Sequence, residues 1–342
     1  MDNAPIISII TPSFNRAKEL KFLYKSLKQQ SIDLRLFEFI ISDDGSTDNT
    51  REMVIEWEKK SDILIKFITQ KNQGPGAARN NGLKIASGEL ILFIDSDCEA
   101  HPDWIKNIFK EYQENSFDAF GGPDSAKEDF TALQKAIDFS MTSFFTTGGM
   151  RGHSENMIAK FFPRTHNMGI KKSVYDKIGG FGSLRHGQDI EFSNRIRKSG
   201  FIIKFLINVV VYHRRRATIK QFFKQVYNWG VARINLGMID SSMLEIIHFI
   251  PSIATLSLIF LLCIFIYFNF PIHLFLLFFL VPLLSLSGYG TYVKNDPRVF
   301  LFLLVVIPLQ ILGYGIGFLQ AFIRRFILDE EEIVGFKKNY YK

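Results

Sequence analysis

Three long apolar runs near the C-terminus constrain this chain more than any other feature. They occupy residues 249–268, 274–293 and 299–323 and consist mostly of Leu, Ile, Phe and Val. Each is close to the ~20 residues that an α-helix needs to cross the hydrocarbon of a bilayer. A globular core has no use for helices of that length three times in succession. Asn269-Phe270-Pro271 and Lys294-Asn295-Asp296-Pro297-Arg298 separate the runs. Apart from His273 near one end, the runs hold no acid or base, so they carry no sign of an ion pathway. Residues 248–325 are therefore expected to form a transmembrane region of two or three helices, with a polar tail over 326–342.

The formal charge of +7 does not point to nucleic acid, because the basic residues gather beside the apolar runs, where anionic lipid headgroups would meet them. Residues 217–247 mix Phe222, Phe223, Val226, Trp229 and Ile234 with Lys220, Lys224 and Arg233, an amphipathic pattern suited to the membrane surface. This basic region and Lys294 with Arg298 favour the cytoplasmic side, which suits a first hairpin returning to it. A third full crossing then leaves Arg324-Arg325 on the wrong side, so one segment is expected to be re-entrant or interfacial. Cys98 and Cys263 lie far apart in regions of different character, which argues against a disulfide framework or a cysteine metal site. Met1 to Pro5 has neither the basic start nor the apolar core of a secretory leader.

Over residues 1–216 the pattern changes. Short β-rich runs at 6–10, 37–42 and 63–68 alternate with helical spacing at 16–30 and 50–60, which predicts a right-handed parallel βαβ sheet. Thr11-Pro12-Ser13-Phe14-Asn15 is expected to break the first strand. Ile91 to Ile94 is a continuous apolar run of the kind that a strand buried on both faces requires. It leads into Asp95-Ser96-Asp97, at the strand end where open α/β sheets hold their ligands. The two carboxylates suit one divalent cation on a diphosphate, or simply an acidic turn. Asp43-Asp44-Gly45 reads either as a turn or as an acceptor for a nucleobase or ribose. The loop Gly74-Pro75-Gly76 would let backbone amides approach a phosphate, but it has neither GxGxxG spacing nor a P-loop lysine. Arg79 follows, placed to pair with a diphosphate, to brace Asp95, or to stand in solvent.

Taken together, Ile9-Ile10-Thr11-Pro12-Ser13-Phe14-Asn15-Arg16, Ser42-Asp43-Asp44-Gly45-Ser46-Thr47-Asp48, Gly74-Pro75-Gly76-Ala77-Ala78-Arg79-Asn80 and Ser87-Gly88-Glu89 leading to Asp95-Ser96-Asp97 resemble family 2 glycosyltransferases of the GT-A fold. Four motifs in order make the likeness specific, and it covers about residues 5–216. It implies a Rossmann-like, mixed but mostly parallel α/β domain over 1–216 that binds a nucleotide-sugar. By the same likeness, Pro12, Phe14 and Asp44 contact the nucleoside, with Asn15 and Asp43 beside them. Asp97 becomes the direct ligand of Mg²⁺ or Mn²⁺, and Asp95 lies closer to the ribose and diphosphate.

The later segments fill in the picture. Residues 130–145 carry a helical apolar stripe that reads as core or, slightly favoured, as a helix dipping into the membrane interface. Residues 146–156, with Gly148, Gly149, Gly152, Arg151 and His153, read as a gating loop or an inert connection. Gln188 and Asp189 open a helix, where the dipole alone would stabilise an acid. Members of the family have an acidic pair there, preceded by Gly-Gly-Phe, as in Gly179-Gly180-Phe181. The resemblance makes Asp189 the catalytic base, with Gln188 replacing the usual Glu. Residues 201–212 read as one strand ending at His213-Arg214-Arg215-Arg216. The histidine is a metal-site candidate by resemblance, and Arg214 and its neighbours suit a departing nucleoside diphosphate or the membrane face. No clear QxxRW occurs over 221–233, Gln225-Val226-Tyr227-Asn228-Trp229 not matching it, which argues for single transfer over processive synthesis.

The expected protein is thus a multi-pass membrane enzyme with a cytoplasmic catalytic domain. It takes a nucleotide-diphosphate sugar as donor and a lipid-linked saccharide as acceptor, with inversion at the anomeric carbon. A polyprenyl-phosphate sugar synthase is the alternative within the class, and a non-catalytic scaffold subunit of an envelope glycan complex is the alternative outside it.

Overall fold

The computed structural model describes residues 5–114, 116–125, 127, 129–147, 161–332 and 335. Of the loop at 146–156, read as a gate or an inert connection, residues 148–156 lie outside the described residues. Strands and helices alternate at first: β1 (Ile7–Ser13), α1 (Ala17–Lys28), β2 (Phe37–Asp43), α2 (Thr50–Lys60), β3 (Leu64–Thr69), α3 (Pro75–Ile85) and β4 (Leu90–Phe93). Shorter elements follow: β5 (Cys98–Ala100), α4 (Trp104–Glu114), β6 (Ala119–Gly121), β7 (Asp124–Ser125), α5 (Ala132–Thr142), α6 (Phe144–Thr147) and β8 (Met168–Lys171). Helices α7 (Lys172–Ile178) and α8 (Gln188–Lys198) precede β9 (Ile203–Phe205) and β10 (Val211–His213). The chain then becomes helical, with α9 (Ile219–Ile239), α10 (Ile250–Tyr267), α11 (Ile272–Lys294) and α12 (Val299–Phe322).

The main sheet has the order β3-β2-β1-β4-β8-β6-β9. Neighbours run parallel except β8, which is antiparallel to both β4 and β6. The parallel part is what the alternating pattern predicts, and the antiparallel β8 makes it the mixed, mostly parallel sheet that the resemblance implies. Alternation along each strand feeds two cores. Ile7 and Ile9 of β1 and Leu90 and Leu92 of β4 pack under α1, α2 and α4, whereas Ile10, Ile91 and Phe93 meet Leu83 of α3 and Phe192 and Ile196 of α8.

Strand β1 runs on through Thr11-Pro12-Ser13 instead of breaking there. Successive residues of a strand turn their backbone groups to opposite neighbours. Ile10 O accepts from Ile94 N and Ser13 O from Asp44 N, so Pro12 faces the β4 side. There β4 pairs only with Ile7 to Ile10, and the ladder asks no N–H of the proline. The run 201–212 is also not one strand. A turn with buried Leu206 and Val209 divides it, sending β9 to the main sheet and β10 to a second sheet of order β5-β10-β7.

Helix α5 is core and not a free interfacial helix. Ile137, Phe139 and Met141 are buried with Phe222 and Val226 of α9 and Val299, Leu303 and Val306 of α12. Helix α9 lies along the base of the sheet domain. Near its start the Gln134 side chain donates to the Arg215 carbonyl at 2.9 Å, and at its end Asp240 accepts from Asn194 of α8 at 2.6 Å. Helix α12 follows α9 in the same direction, with Gly313 against Val226, Gly317 against Tyr227, and Phe318 and Ala321 beside Val231 and Ile234. The two backbones touch: a Cβ on Gly230 would stand 2.2 Å from the Tyr314 carbonyl oxygen, which only a small residue tolerates.

All three apolar helices are long and apolar enough to cross a membrane, but they differ in surroundings. The protein buries 11% of the first and of the second, against 39% of the third. The connection between α11 and α12 returns to α5, where Lys294 pairs with Asp138 at 2.5 Å and Asp296 with Lys135 at 3.1 Å.

Candidate active site

The C-terminal ends of β1, β2 and β4 open onto one cavity of about 380 Å³, and the sequence motifs at those ends divide between lining it and supporting it. Pro12, Phe14, Asp44, Arg79, Asp95, Asp97, Gln188, Asp189 and His213 line it; Asn15, Asp43 and Arg214 do not.

Asp43 builds the turn. Its carboxylate accepts from Gly45 N at 3.2 Å, Ser46 N at 2.9 Å and Thr69 Oγ1 at 3.1 Å. The Asn15 side chain braces the same loop, accepting from Thr47 N at 2.7 Å and Asp48 N at 3.3 Å. Asp44 is held by Gln70 Nε2, Gln73 N and Gly74 N, each at 2.8 Å. A carboxylate has about four acceptor positions, so roughly one is left for a ligand. The Gly74 amide is thereby committed to Asp44 and not to a phosphate. Gly76 is needed for contact across the cavity, since a Cβ there would stand 2.5 Å from Gln188 Nε2.

The second sheet assembles the acidic centre. Strand β5, which begins directly after Asp97, pairs antiparallel with β10 so that His213 faces Cys98. Arg214 N donates to the Asp97 carbonyl at 3.0 Å, locking that register. His213 Nε2 consequently lies 3.3 Å from Asp97 Oδ1, and its Nδ1 lies 3.4 Å from Asp124 Oδ2. Burial disfavours the imidazolium, but Asp97 and Asp124 outweigh it and push His213 up to about 9. Burial likewise opposes ionisation of Asp97, yet His213, Arg16 and Arg216 hold it well below the usual carboxylate range. His166 stacks on His213 at 5.1 Å between ring centroids; burial, with His213 adding to it, lowers it to about 4 despite Asp124. Donor atoms of Asp97, Cys98 and His213 lie within 4.8 Å of one another, as do those of Asp124, His166 and His213. The Cys98 thiol is pushed up by burial and the surrounding carboxylates, which leaves an oxygen and imidazole donor set.

Asp95 sits apart from both groupings and pairs with Arg79 at 2.5 Å. Arg79 is itself buried and lies over the Phe181 ring at 5.6 Å. Of the basic cluster after β10, it is Arg216 that reaches the cavity, 3.8 Å from Asp97. Arg214 turns away to Glu99 at 2.8 Å and Asp129 at 3.1 Å. Arg215 is buried, joining Asp124 at 2.6 Å to Asp138 at 2.7 Å.

Asp189 stands in the first turn of α8, 3.4 Å from Arg164 Nη1, with Oδ1 accepting from Ile190 N at 2.9 Å. Burial works against its charge, but Arg164 and Arg79 prevail and keep it below the ordinary carboxylate value. It is therefore ionised at neutral pH and placed to accept a proton.

The remaining wall comes from the helical region. Gln225, Asn228, Trp229 and Arg233 of α9 and Gln310 and Tyr314 of α12 all line the same cavity. Gln225, Asn228 and Trp229, set aside on sequence, keep the spacing of QxxRW with Asn228 in the place of its arginine. Arg16, Asp124, Arg164, His166 and Arg216 also escaped the sequence reading. Arg16, at the end of the first motif, and Arg216, inside a basic run already suspected, carried a local signal.

Residues 8–179 match the model of Glycosyl transferase family 2. The chain is 25% identical over 237 residues to glycosyltransferase AglE of Haloferax volcanii, a match covering 69% of this chain and 75% of that protein. It is 36% identical over 118 residues to the GalNAc(5)-diNAcBac-PP-undecaprenol beta-1,3-glucosyltransferase of Campylobacter jejuni, covering 34% of this chain and 38% of that one. The dolichyl N-acetyl-alpha-D-glucosaminyl phosphate 3-beta-D-2,3-diacetamido-2,3-dideoxy-beta-D-glucuronosyltransferase of Methanococcus voltae is 28% identical over 239 residues, covering 66% of this chain and 72% of that one. Among solved structures, mannosyltransferase PcManGT from Pyrobaculum calidifontis, in complex with GDP-Man and Mn²⁺, superposes with a TM-score of 0.64 at 15% identity, covering 93% of this chain and 88% of that one. At that identity the likeness establishes a common fold.

Proposed function

The chain belongs to glycosyl transferase family 2 and has the GT-A fold, and on that premise we propose that it is an inverting transferase moving a sugar from a nucleoside-diphosphate sugar to a lipid-linked saccharide. One observation carries the reading. A single cavity joins the acids at the strand ends to the helices of the apolar region, and Asp189 feels both Arg79 on the first side and Arg164 on the other. The named relatives from Campylobacter jejuni and Methanococcus voltae act on lipid-linked acceptors, which supports the acceptor class.

In this reading Pro12, Phe14 and the open acceptor position of Asp44 receive the nucleoside. Arg79 fixes Asp95 toward the ribose and diphosphate, and Arg216 takes the place expected of Arg214 beside the leaving group. Asp97 and His213 fit a divalent cation such as Mn²⁺ or Mg²⁺, because a hard oxygen and an imidazole nitrogen lie 3.3 Å apart at the end of a braced strand. When bound, such an ion supplies positive charge to the diphosphate. Binding would displace the proton that His213 otherwise holds between its two carboxylates. Asp189 takes the proton of the acceptor hydroxyl as that oxygen attacks the anomeric carbon from the face opposite the diphosphate. Gln188, neutral where an acid is usual, leaves Asp189 as the acid of that pair.

The polyprenyl-phosphate sugar synthase reading is favoured by one feature, the Arg164 guanidinium 3.4 Å from Asp189, which would suit an acceptor that is itself anionic. Asp189→Asn separates the two, since a phosphate acceptor needs no base and a hydroxyl does.

The packing of α12 supports one topology. With the α11–α12 connection held at α5 and α12 laid along α9, we assign the crossing to the α10–α11 hairpin and place α12 in the interface. Lys294, Arg298, Arg324 and Arg325 then share the cytoplasmic side with the catalytic domain, which removes the charge conflict of three crossings. A panel of nucleotide-sugars supplied to membranes containing the protein tests the whole proposal. One donor should be consumed and a lipid fraction labelled; consumption of none by active-site-intact protein refutes it.

A further inference from the structure

The cavity is electrostatically divided, and its second half has a chemistry that the donor does not explain. Around Asp97 the cations Arg16, Arg216 and His213 are matched by Asp95, Asp97 and Asp124. On the side of α9 and α12, Arg164, Arg233, His248 and Tyr314 line the cavity, and among the described lining residues of that half Asp189 is the one acid. These groups are close enough to act on one another: Arg233 is lowered first by burial and also by Arg164, while Asp189 partly restores it.

The donors there are also fixed in place. Arg233 Nη1 donates to the Met243 carbonyl at 3.1 Å, anchoring the guanidinium at the end of α9. His248 Nδ1 accepts from Glu245 N at 2.9 Å, so the neutral ring carries its proton on Nε2 and remains a donor. The Tyr314 hydroxyl oxygen is buried. Neutral Gln225, Asn228 and Gln310 share this wall, and the first and third apolar helices add Ile247, Pro251 and Ile311. Two guanidiniums and neutral donors facing one carboxylate, beside apolar helices, match a phosphate ester on a hydrocarbon chain.

We propose that Arg233, Arg164, His248 and Tyr314 form a subsite for the phosphate or diphosphate headgroup of the lipid-linked acceptor. The inference rests on the glycosyl-transfer reading above and adds to it the part of the acceptor that the cavity holds. Its position past Asp189 puts the acceptor sugar at the base and the headgroup on the membrane side.

The test is binding, so that it stands even if no donor is found. Full-length protein in phosphatidylcholine nanodiscs is titrated with undecaprenyl diphosphate, with undecaprenol and with inorganic pyrophosphate, and separately with UDP and GDP. Wild type should prefer undecaprenyl diphosphate over undecaprenol, with pyrophosphate competing. Arg233→Gln should weaken the diphosphate lipid by about 10–100-fold, the loss of a charge-assisted contact, without changing nucleotide binding. Arg233→Lys, which keeps charge and packing stem, should recover part of that loss and excludes misfolding as its cause. Equal affinity of wild type for the two lipids, or an unchanged preference in both Arg233→Gln and Arg164→Gln, overturns the subsite. A parallel loss of nucleotide binding in Arg233→Gln assigns the cations to the donor and overturns it as well.

Discussion

Asp138→Asn is the sharpest probe of how the catalytic domain is joined to the apolar helices. The carboxylate is 2% exposed and takes three charged donors: Arg215 Nε at 2.9 Å, Arg215 Nη2 at 2.7 Å and Lys294 Nζ at 2.5 Å. Removing one partner of a buried ion pair costs about 3–5 kcal/mol, because the other charge stays buried. Arg215 keeps Asp124 at 2.6 Å, so the low end applies, about 3 kcal/mol. At roughly 2 °C per kcal/mol for a chain of this size, the unfolding midpoint should fall by about 6 °C. Membrane proteins often unfold irreversibly, so inactivation half-lives at one temperature should be compared as well. The pH dependence has a definite sign. Burial raises the Asp138 pKa, Arg215 and Lys294 lower it further than that, and the folded value lies below the ordinary one. The stabilisation is therefore complete above the unfolded pKa of about 3.9 and is lost as pH falls through the folded value. Wild type and variant should differ by a constant amount from neutral pH to about pH 5 and converge below about pH 4. A cycle with Lys294→Met should give a coupling of about 1–3 kcal/mol. A variant as stable as wild type, or a cycle with no coupling, refutes the argument that this network joins the two parts.

Three further outcomes are expected. Asp189→Asn should lower kcat by about 10²–10⁴-fold with a hydroxyl acceptor while leaving nucleotide affinity intact, as steady-state kinetics and a separate titration would reveal. Arg216→Ala should raise the donor KM by about 10–100-fold, whereas Arg214→Ala should stay near wild type; the reverse order would contradict the placement of the two side chains. A cysteine at Arg325 in a Cys98→Ser, Cys263→Ser background should react with an impermeant thiol reagent from the face that exposes the catalytic domain, and reaction from the opposite face would make α12 a third crossing.

Much of the sheet side of the cavity was legible because its residues sit in short motifs at strand ends. Asp44, Asp95, Asp97 and Asp189 each follow a recognisable local pattern, and the sheet brings those ends together by its topology. The motifs did not reveal which members face inward. Asp43 and Asn15 are spent on the turn, and Asp95 on Arg79, choices made by hydrogen bonds that no spacing records. Likewise the register of β5 on β10, not composition, selects His213 and turns Arg214 away. The helical wall was hidden for a different reason. Arg233 and Tyr314 are 81 positions apart and meet only because glycines let α9 and α12 touch. Helix α12 reads on sequence as an ordinary span because a helix buried against protein on one side is as apolar as one in lipid.

The floor made by α9 and α12 bears on how such a protein can be taken apart. A tether is dispensable once its cargo is delivered by other means, and a soluble fragment ending before residue 219 would be the usual way to isolate the enzyme. Here that cut opens the cavity along one side, removing Trp229, Arg233 and Tyr314 together, and strips α5 of Phe222, Val226 and Val299. Such a fragment should still bind nucleotide while transferring sugar to nothing, or only to water. On the proposed reading, the helical region is a wall of the reaction vessel as well as an anchor.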